Sequence, residues 1–268
     1  MAGKSTIEWT DDSWNPGVGC TKISEGCRNC YAERNSWRQR NMARKADKPS
    51  RRDYYLDVID DRARWTNKVR LVEEALDDPY SWRKPRAIFV NSMSDLFHVD
   101  VPLGYIKRVF EVMQGADWHT YQILTKRSER LRQVHRQLPW PQKVWMGVSI
   151  EDASVMYRLR DLVKTGAAIK WLSLEPLLGP LPNLDIAGID WVVAGGESGP
   201  GARPMQGDWV REIRDQCVDA GVPFFFKQWG KLVNNPDASD PTAKENGGKS
   251  KGGRMLDGRI WDEMPVTP

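Results

Sequence analysis

Compact apolar runs alternate with helical patterns along this chain, and that alternation limits the fold more than any other feature. Arg86-Ala-Ile-Phe-Val-Asn, Thr120-Tyr-Gln-Ile-Leu-Thr, Lys143-Val-Trp-Met-Gly-Val-Ser-Ile, Ile169-Lys-Trp-Leu-Ser-Leu, Asp190-Trp-Val-Val-Ala and Pro223-Phe-Phe-Phe-Lys are short and bounded by turn or polar residues. They read as buried strands. Ser5 to Thr10 reads as a shorter first strand. Helical patterns lie between them. One runs from Tyr31 to about Arg44, and Arg64 to Leu76 also has helical spacing. Pro102 opens another, with Tyr105, Val109, Val112 and Met113 as its apolar stripe. Ser128 caps one that reaches about Leu138, Asp152 to Lys164 turns Val155, Leu159, Leu162 and Val163 inward, and Trp209 to Asp219 makes the last. Strands alternating with helices favour a parallel sheet of βαβ units. Nearly continuous apolar strands are those covered on both faces. The expected fold is α/β, an incomplete (β/α) barrel of six or seven parallel strands, with a doubly wound flat sheet as the alternative.

An α/β barrel of about 250 residues uses nearly all of a 268-residue chain. The expected division is a barrel over residues 1–231, then a C-terminal segment, 232–268, made of a flexible loop and a small docking hairpin. Asn234 to Arg254 is rich in Asn, Asp, Pro, Lys and Gly. The Asp257-Gly258 pair after it is a hairpin turn signal. No apolar run approaches the ~20 residues of a membrane helix. The start, Met-Ala-Gly-Lys-Ser-Thr, lacks the apolar core of a secretory signal. The expectation is a cytoplasmic protein with no membrane contact.

Three of the four cysteines, Cys20, Cys27 and Cys30, fall in eleven residues with the spacing C-x6-C-x2-C. Three thiols cannot all pair with one another, but all can face one soft metal centre. Gly17, Gly19 and Gly26 let the backbone bend inward. Zinc takes four protein ligands in a structural site, or three and water in a catalytic one. A [4Fe–4S] cluster normally takes four cysteines, so a three-cysteine cluster leaves one iron open. Cys217 lies alone in a helical pattern and reads as a buried small hydrophobe, with a fourth cluster ligand as the rival reading. Gly248-Lys249-Ser250 and Gly3-Lys4-Ser5 echo a phosphate loop but lack the preceding glycine and strand.

In a parallel barrel the loops after the strands share one rim, and sites form there. Polar residues stand at those strand ends: Asn91, Ser92, Ser94 and Asp95; Lys126 and Arg127; Ser149 and Glu151; Ser173 and Glu175; Gly195, Gly196 and Glu197; Lys227. Asn91, Ser94 and Asp95 suit ribose hydroxyls or a substrate, and equally a capped turn. Lys126 and Lys227 suit a carboxylate or phosphate. Gly195 and Gly196 allow close backbone approach and Glu197 accepts from an ammonium group, unless the segment is simply a tight turn.

Several segments together resemble a known family. They are Ile7-Glu-Trp-Thr-Asp, Trp14-Asn-Pro, Gly19-Cys-Thr-Lys, Gly26-Cys, Asn29-Cys-Tyr-Ala-Glu, Ser94-Asp-Leu-Phe-His, Leu124-Thr-Lys-Arg and Gly195-Gly-Glu-Ser-Gly. The combination is similar to the three-cysteine phage proteins, a radical-SAM-like family. Radical S-adenosylmethionine (SAM) enzymes use C-x3-C-x2-C, and the second half of the spacing here agrees while the first gap is longer. The resemblance implies a [4Fe–4S] cluster on Cys20, Cys27 and Cys30, with SAM at the open iron. It implies ribose or methionine-carboxylate contacts from Ser149, Glu151, Ser173 and Glu175, although capping alone accounts for each serine. Gly195, Gly196 and Glu197 are like the family's segment for the methionine amino group but follow a late strand rather than an early one. Asn91, Ser94, Asp95 and Lys126 join the SAM site on their strand-end positions. It also implies an electron donor as partner and a 5′-deoxyadenosyl radical as the reactive species.

Arg34, Arg38, Arg40, Arg44, Lys45, Lys48, Arg51 and Arg52 fall within nineteen residues opposed only by Asp47. This reads as a phosphate-binding face or as a solvated helix face. With thirteen tryptophans, some able to stack on bases, it points to a nucleotide or nucleic-acid base as substrate. The non-enzymatic alternative is a zinc-stabilised nucleic-acid-binding protein that adds His98 to the three cysteines. A third reading is a cluster protein that no longer cleaves SAM. His119 and His135, the other two histidines, have no zinc-site spacing.

Overall fold

Each apolar run of the sequence meets a neighbour in the computed structural model, which describes residues 3–4, 7–237, 239–246 and 249–266. The architecture is an incomplete (β/α) barrel. Among the described residues, seven parallel strands follow one another in sequence order in one sheet, and Gly3–Lys4 pairs antiparallel at the edge. The strands are β1 (Asp12–Trp14), β2 (Ala87–Val90), β3 (Thr120–Thr125), β4 (Val144–Ser149), β5 (Ile169–Leu174), β6 (Trp191–Gly195) and β7 (Phe224–Gln228). The longer helices are α1 (Tyr31–Arg44), α2 (Leu103–Gly115), α3 (Ser128–Val134), α4 (Tyr157–Leu162) and α5 (Gly207–Ala220). The chain forms two compact units, Met1–Met146 with Thr165–Ala168, and Gly147–Lys164 with Ile169–Pro268. No helix among the described residues is long and apolar enough to cross a membrane.

The first unit is built on β1, β2 and β3. Trp14 pairs with Val90 and Val90 with Ile123, all fully buried. The stripe of α2 is buried as its spacing requires, through Tyr105, Ile106, Val109, Phe110, Val112 and Met113. A separate apolar cluster holds Val18, Ala32, Tyr55, Val58, Ile59, Trp65, Val72, Ala75 and Met93. Residues 54–76, mixed in sequence, supply most of it.

Two expectations need correction here. The first strand is Asp12–Trp14, because Ile7 to Trp9 form a turn closed by the Thr10 N–H on the Ile7 carbonyl. Ser5 and Thr6 lie outside the described residues. The helical spacing of Arg64 to Leu76 does not make an α-helix. Arg70–Leu71 pairs antiparallel with Gly17–Val18, and a single 3-10 turn, Glu73–Ala75, follows. Arg70 is held there by Asp57, and tertiary pairing overrides local spacing.

In the second unit, β5, β6 and β7 pair in parallel, with Leu172 opposite Val192 and Phe225 opposite Val193. Cys217 is fully buried on α5, whose C-cap Gly221 has the left-handed conformation that position favours. The expected hairpin forms from Met255–Leu256 and Arg259–Ile260, and Asp257 and Gly258 both have positive φ, as a tight two-residue turn requires. It docks back on β7, where the Phe226 N–H donates to the Trp261 carbonyl, and on α5, where Arg211 and Arg214 pair with Asp257. Within 234–254, Asp240 is buried and accepts from Asn235, Thr242 and the Met255 N–H. Gly247 and Gly248 lie outside the described residues.

Candidate metal centre and the polar strand ends

The cysteine loop begins at Cys20, six residues beyond the end of β1, and ends where α1 begins. Gly19 has φ +90, and a Cβ there would come within 2.2 Å of the Lys68 carbonyl oxygen. Gly17 has no positive φ, but a Cβ would meet Ser94 Oγ at 3.4 Å. Residues 91–95 zip this backbone in place. Asn91 Oδ1 accepts from the Gly17 N–H (3.3 Å), Ser94 Oγ donates to the Gly17 carbonyl (3.0 Å), and the Gly19 N–H donates to the Met93 carbonyl (3.1 Å). Asn91 itself has φ 60, an uncommon conformation outside glycine. Gly19→Ala is expected to cost at least about 1–3 kcal/mol from backbone strain alone. A denaturant midpoint shifted to lower concentration checks it.

A second layer holds the loop from the side. Asp95 accepts from Thr125 Oγ1 (2.7 Å) and from the N–H groups of Phe97 and Lys126 (3.0 and 3.2 Å). Arg127, beside Asp95, donates through Nη2 to the carbonyl and hydroxyl of Thr21, next to Cys20 (3.0 and 2.5 Å). His98 is fully buried, and its pKa is lowered, chiefly by burial. The neutral ring therefore accepts from the Asp100 N–H at Nδ1 (3.1 Å) and donates from Nε2 to Thr21 Oγ1 (3.0 Å). Both ring nitrogens are thus engaged. Lys22 crosses the loop, donating to the Arg28 carbonyl (3.0 Å) and pairing with Glu33 of α1 (2.8 Å).

Cys20 and Cys30 pack against the apolar cluster, while Cys27 stands beside Ser24 Oγ at 3.8 Å. All three are partly buried and unpaired by disulfides. Burial pushes the Cys20 thiol up to about 12, with Asp95 raising it further, Arg127 opposing and Cys30 adding a smaller rise. Burial also raises Cys30; the Ala32 backbone N–H opposes it and Cys27 raises it. Among the described residues no three His, Cys, Asp or Glu side chains converge on a single ion. In donor chemistry alone, three thiols are soft-metal ligands. Three thiols on one short loop share one electrostatic neighbourhood, and a cationic centre would replace protons that burial otherwise retains.

The polar strand ends of the second unit form three ion pairs. After β4, Glu151 pairs with Arg158 of α4 at 2.9 Å, both 1% exposed, and Arg158 also donates to the Ser149 carbonyl (2.8 Å). After β5, Glu175 pairs with Lys227 of β7 at 3.0 Å, and Ser173 Oγ lies 3.4 Å from Glu175. After β6, Glu197 receives the backbone N–H, Nε and Nη2 of Arg203 (2.9, 3.0 and 2.6 Å). The glycines before it fit close packing: a Cβ on Gly195 would meet Glu175 Oε1 at 2.8 Å, and one on Gly196 the Trp229 carbonyl oxygen at 2.3 Å.

The structure thus joins Cys20, Cys27, Cys30, Asn91, Ser94, Asp95 and the Lys126 backbone in the first unit. In the second, Glu175 and Lys227 meet over Gly195. Thr21 and Glu33 entered the sequence reading only inside the family-like segments, without a role of their own, and Arg158 not at all; Glu33 also carried a local signal, as an acid at the start of a helix. Three of the eight clustered cations pair with acids outside the stretch: Arg40 and Arg44 share Asp61, and Arg51 takes Asp78.

The fold and the loop define an incomplete (β/α)-barrel protein with a three-cysteine loop between its first parallel strand and first helix. The chain belongs to the family described as protein of unknown function (DUF5131), whose model matches residues 4–265. Comparison with curated proteins gives no match. Among solved structures, the chain is similar to spore photoproduct lyase complexed with dinucleoside spore photoproduct, at 11% identity and TM-score 0.47, covering 94% of this chain and 70% of that one. A mutant of that lyase with bound AdoMet and dinucleoside spore photoproduct gives 10% identity, TM-score 0.46 and the same coverage.

Proposed function

We propose that the chain is a radical SAM-type enzyme that uses an iron–sulfur cluster on Cys20, Cys27 and Cys30 and acts on a nucleotide or nucleic-acid base. The observation that carries this reading is the loop itself. Three thiols and no fourth cysteine occupy it, and side chains from two further strand ends hold it to an apolar floor. Cys20, Cys27 and Cys30 would hold the cluster, which would supply an electron drawn from an external donor for the reductive cleavage of SAM to methionine and a 5′-deoxyadenosyl radical able to take hydrogen from the substrate.

The chain's own residues supply position and polarity. Asn91 and Ser94 fix the backbone leading to Cys20, and Arg127 fixes Thr21 from the other side. Asp95 orients Arg127 and leaves that side of the loop without a net excess of charge. The apolar floor beneath Cys20 and Cys30 excludes water from one side of the thiols. In this reading Asn91, Ser94, Asp95 and Lys126 are SAM contacts as well as supports. Ser149, Glu151, Ser173, Glu175, Gly195, Gly196 and Glu197 are proposed as further SAM-binding positions, and rearrangement of the Glu197–Arg203 pair would release a carboxylate for an ammonium group.

Anaerobic incubation of the reconstituted protein with SAM and dithionite tests the proposal. The expected product is 5′-deoxyadenosine. A fully clustered preparation that yields none would overturn it.

A further inference from the structure

The outward face of α1 has a composition that the cysteine chemistry does not use. The helix turns Ala32, Glu33, Ser36, Arg40 and Ala43 inward. Its opposite face presents Tyr31, Arg34, Trp37, Arg38 and Met42, continued by the C-cap Lys45, with Tyr31 47%, Trp37 38% and Met42 52% exposed and the Tyr31 hydroxyl donating to the Ser92 carbonyl (3.0 Å). At 3.6 residues per turn, Arg34, Arg38 and Lys45 line up within about 40° of one another. Trp37 flanks this row on one side, Tyr31 and Met42 on the other. Lys48 and Arg52 follow in the next segment, both exposed.

Charge is unbalanced on this face. Glu33 is buried and engaged by Lys22 and the Trp65 N–H, and Asp61 and Asp78 serve Arg40, Arg44 and Arg51. Among the described residues Arg34, Arg38, Lys45, Lys48 and Arg52 are in no ion pair. A central row of cations with large apolar side chains on its flanks matches a phosphate backbone whose bases splay onto aromatic faces. A helix lying on a membrane has the inverse layout, an apolar centre flanked by cations. A duplex hides the base faces that Trp37 and Tyr31 would stack on.

We infer that this face of α1, continued through Lys48 and Arg52, binds single-stranded nucleic acid. The inference deepens the substrate class proposed above and rests on that reading only for the strand's role as substrate, since the binding needs no cluster. A labelled single-stranded oligonucleotide titrated with the full chain by fluorescence anisotropy, over a series of salt concentrations, tests it. If all five cations meet phosphates, log affinity falls with log salt at a slope of roughly −3.5. Replacing Arg34, Arg38 and Lys45 together by Gln should remove about 2 from that slope. Trp37→Ala should weaken binding about 10-fold, and Trp37→Phe should restore most of it. All four positions lie on the outward face, and an unchanged thermal midpoint verifies that the variants fold.

Absence of binding, a slope the triple variant does not alter, or equal affinity for a duplex of the same sequence would overturn the inference. So would displacement of the oligonucleotide by phosphatidylserine vesicles together with an inert Trp37→Ala. Binding without 5′-deoxyadenosine formation would leave this surface standing and defeat the catalytic reading; formation without binding would do the reverse.

Discussion

Cys27→Ala, reconstituted anaerobically with iron and sulfide, is expected to keep its fold and lose more than about 100-fold of 5′-deoxyadenosine formation. Removing a group that merely orients a metal ligand costs about 10–100-fold, and removing the ligand itself should exceed that. Cys27 is the informative choice because it stands apart from the apolar floor that Cys20 and Cys30 touch. Its loss leaves Tyr55, Val58 and Ile59 fully packed, each contributing about 1.5–3 kcal/mol. The thermal midpoint of the apoprotein should therefore hardly move, while the visible absorbance of the reconstituted protein falls. A midpoint that drops along with the colour would make the residue a packing element. Retained activity would remove it from the ligand set.

The largest stability loss is expected from Glu151→Ala in the second unit. Glu151 and Arg158 are each 1% exposed and 2.9 Å apart. Removing one member of a buried pair strands the other charge without water, which costs about 3–5 kcal/mol. Replacing both, Glu151→Leu with Arg158→Met, should recover most of that loss, because an apolar pair of similar volume avoids both desolvation costs. Urea unfolding of the three chains measures this. A loss under about 1 kcal/mol for the single variant would show that Arg158 finds another acceptor.

Six of the seven parallel strands were legible because covered strands are continuous apolar runs, and Phe-Phe-Phe after Pro223 or Trp-Val-Val-Ala after Asp190 needs no partner to declare itself. The first strand was not, since Asp12-Ser-Trp carries one apolar residue and gains its pairing from Ile88 to Val90, some seventy-five residues away. The floor under the cysteine loop was hidden for the same reason. Tyr55, Val58, Ile59, Trp65 and Val72 follow neither helical nor strand period, and become a cluster only once the chain folds around them.

At the candidate site the cysteines announced themselves, but the partners of the polar strand ends did not. Ser94 was legible as a strand-end group, yet its bond to Gly17 crosses seventy-seven positions. The basic stretch was overstated in sequence because Asp61 and Asp78 lie outside it, and the five cations they leave are the sharper signal.

The central claim is that three thiols hold an iron–sulfur cluster. Iron and acid-labile sulfide, quantified per chain after anaerobic reconstitution of the full protein, test it most directly. The account predicts about four of each, lost together when Cys20, Cys27 and Cys30 are replaced by alanine. A colourless protein that retains one zinc and no sulfide would contradict it.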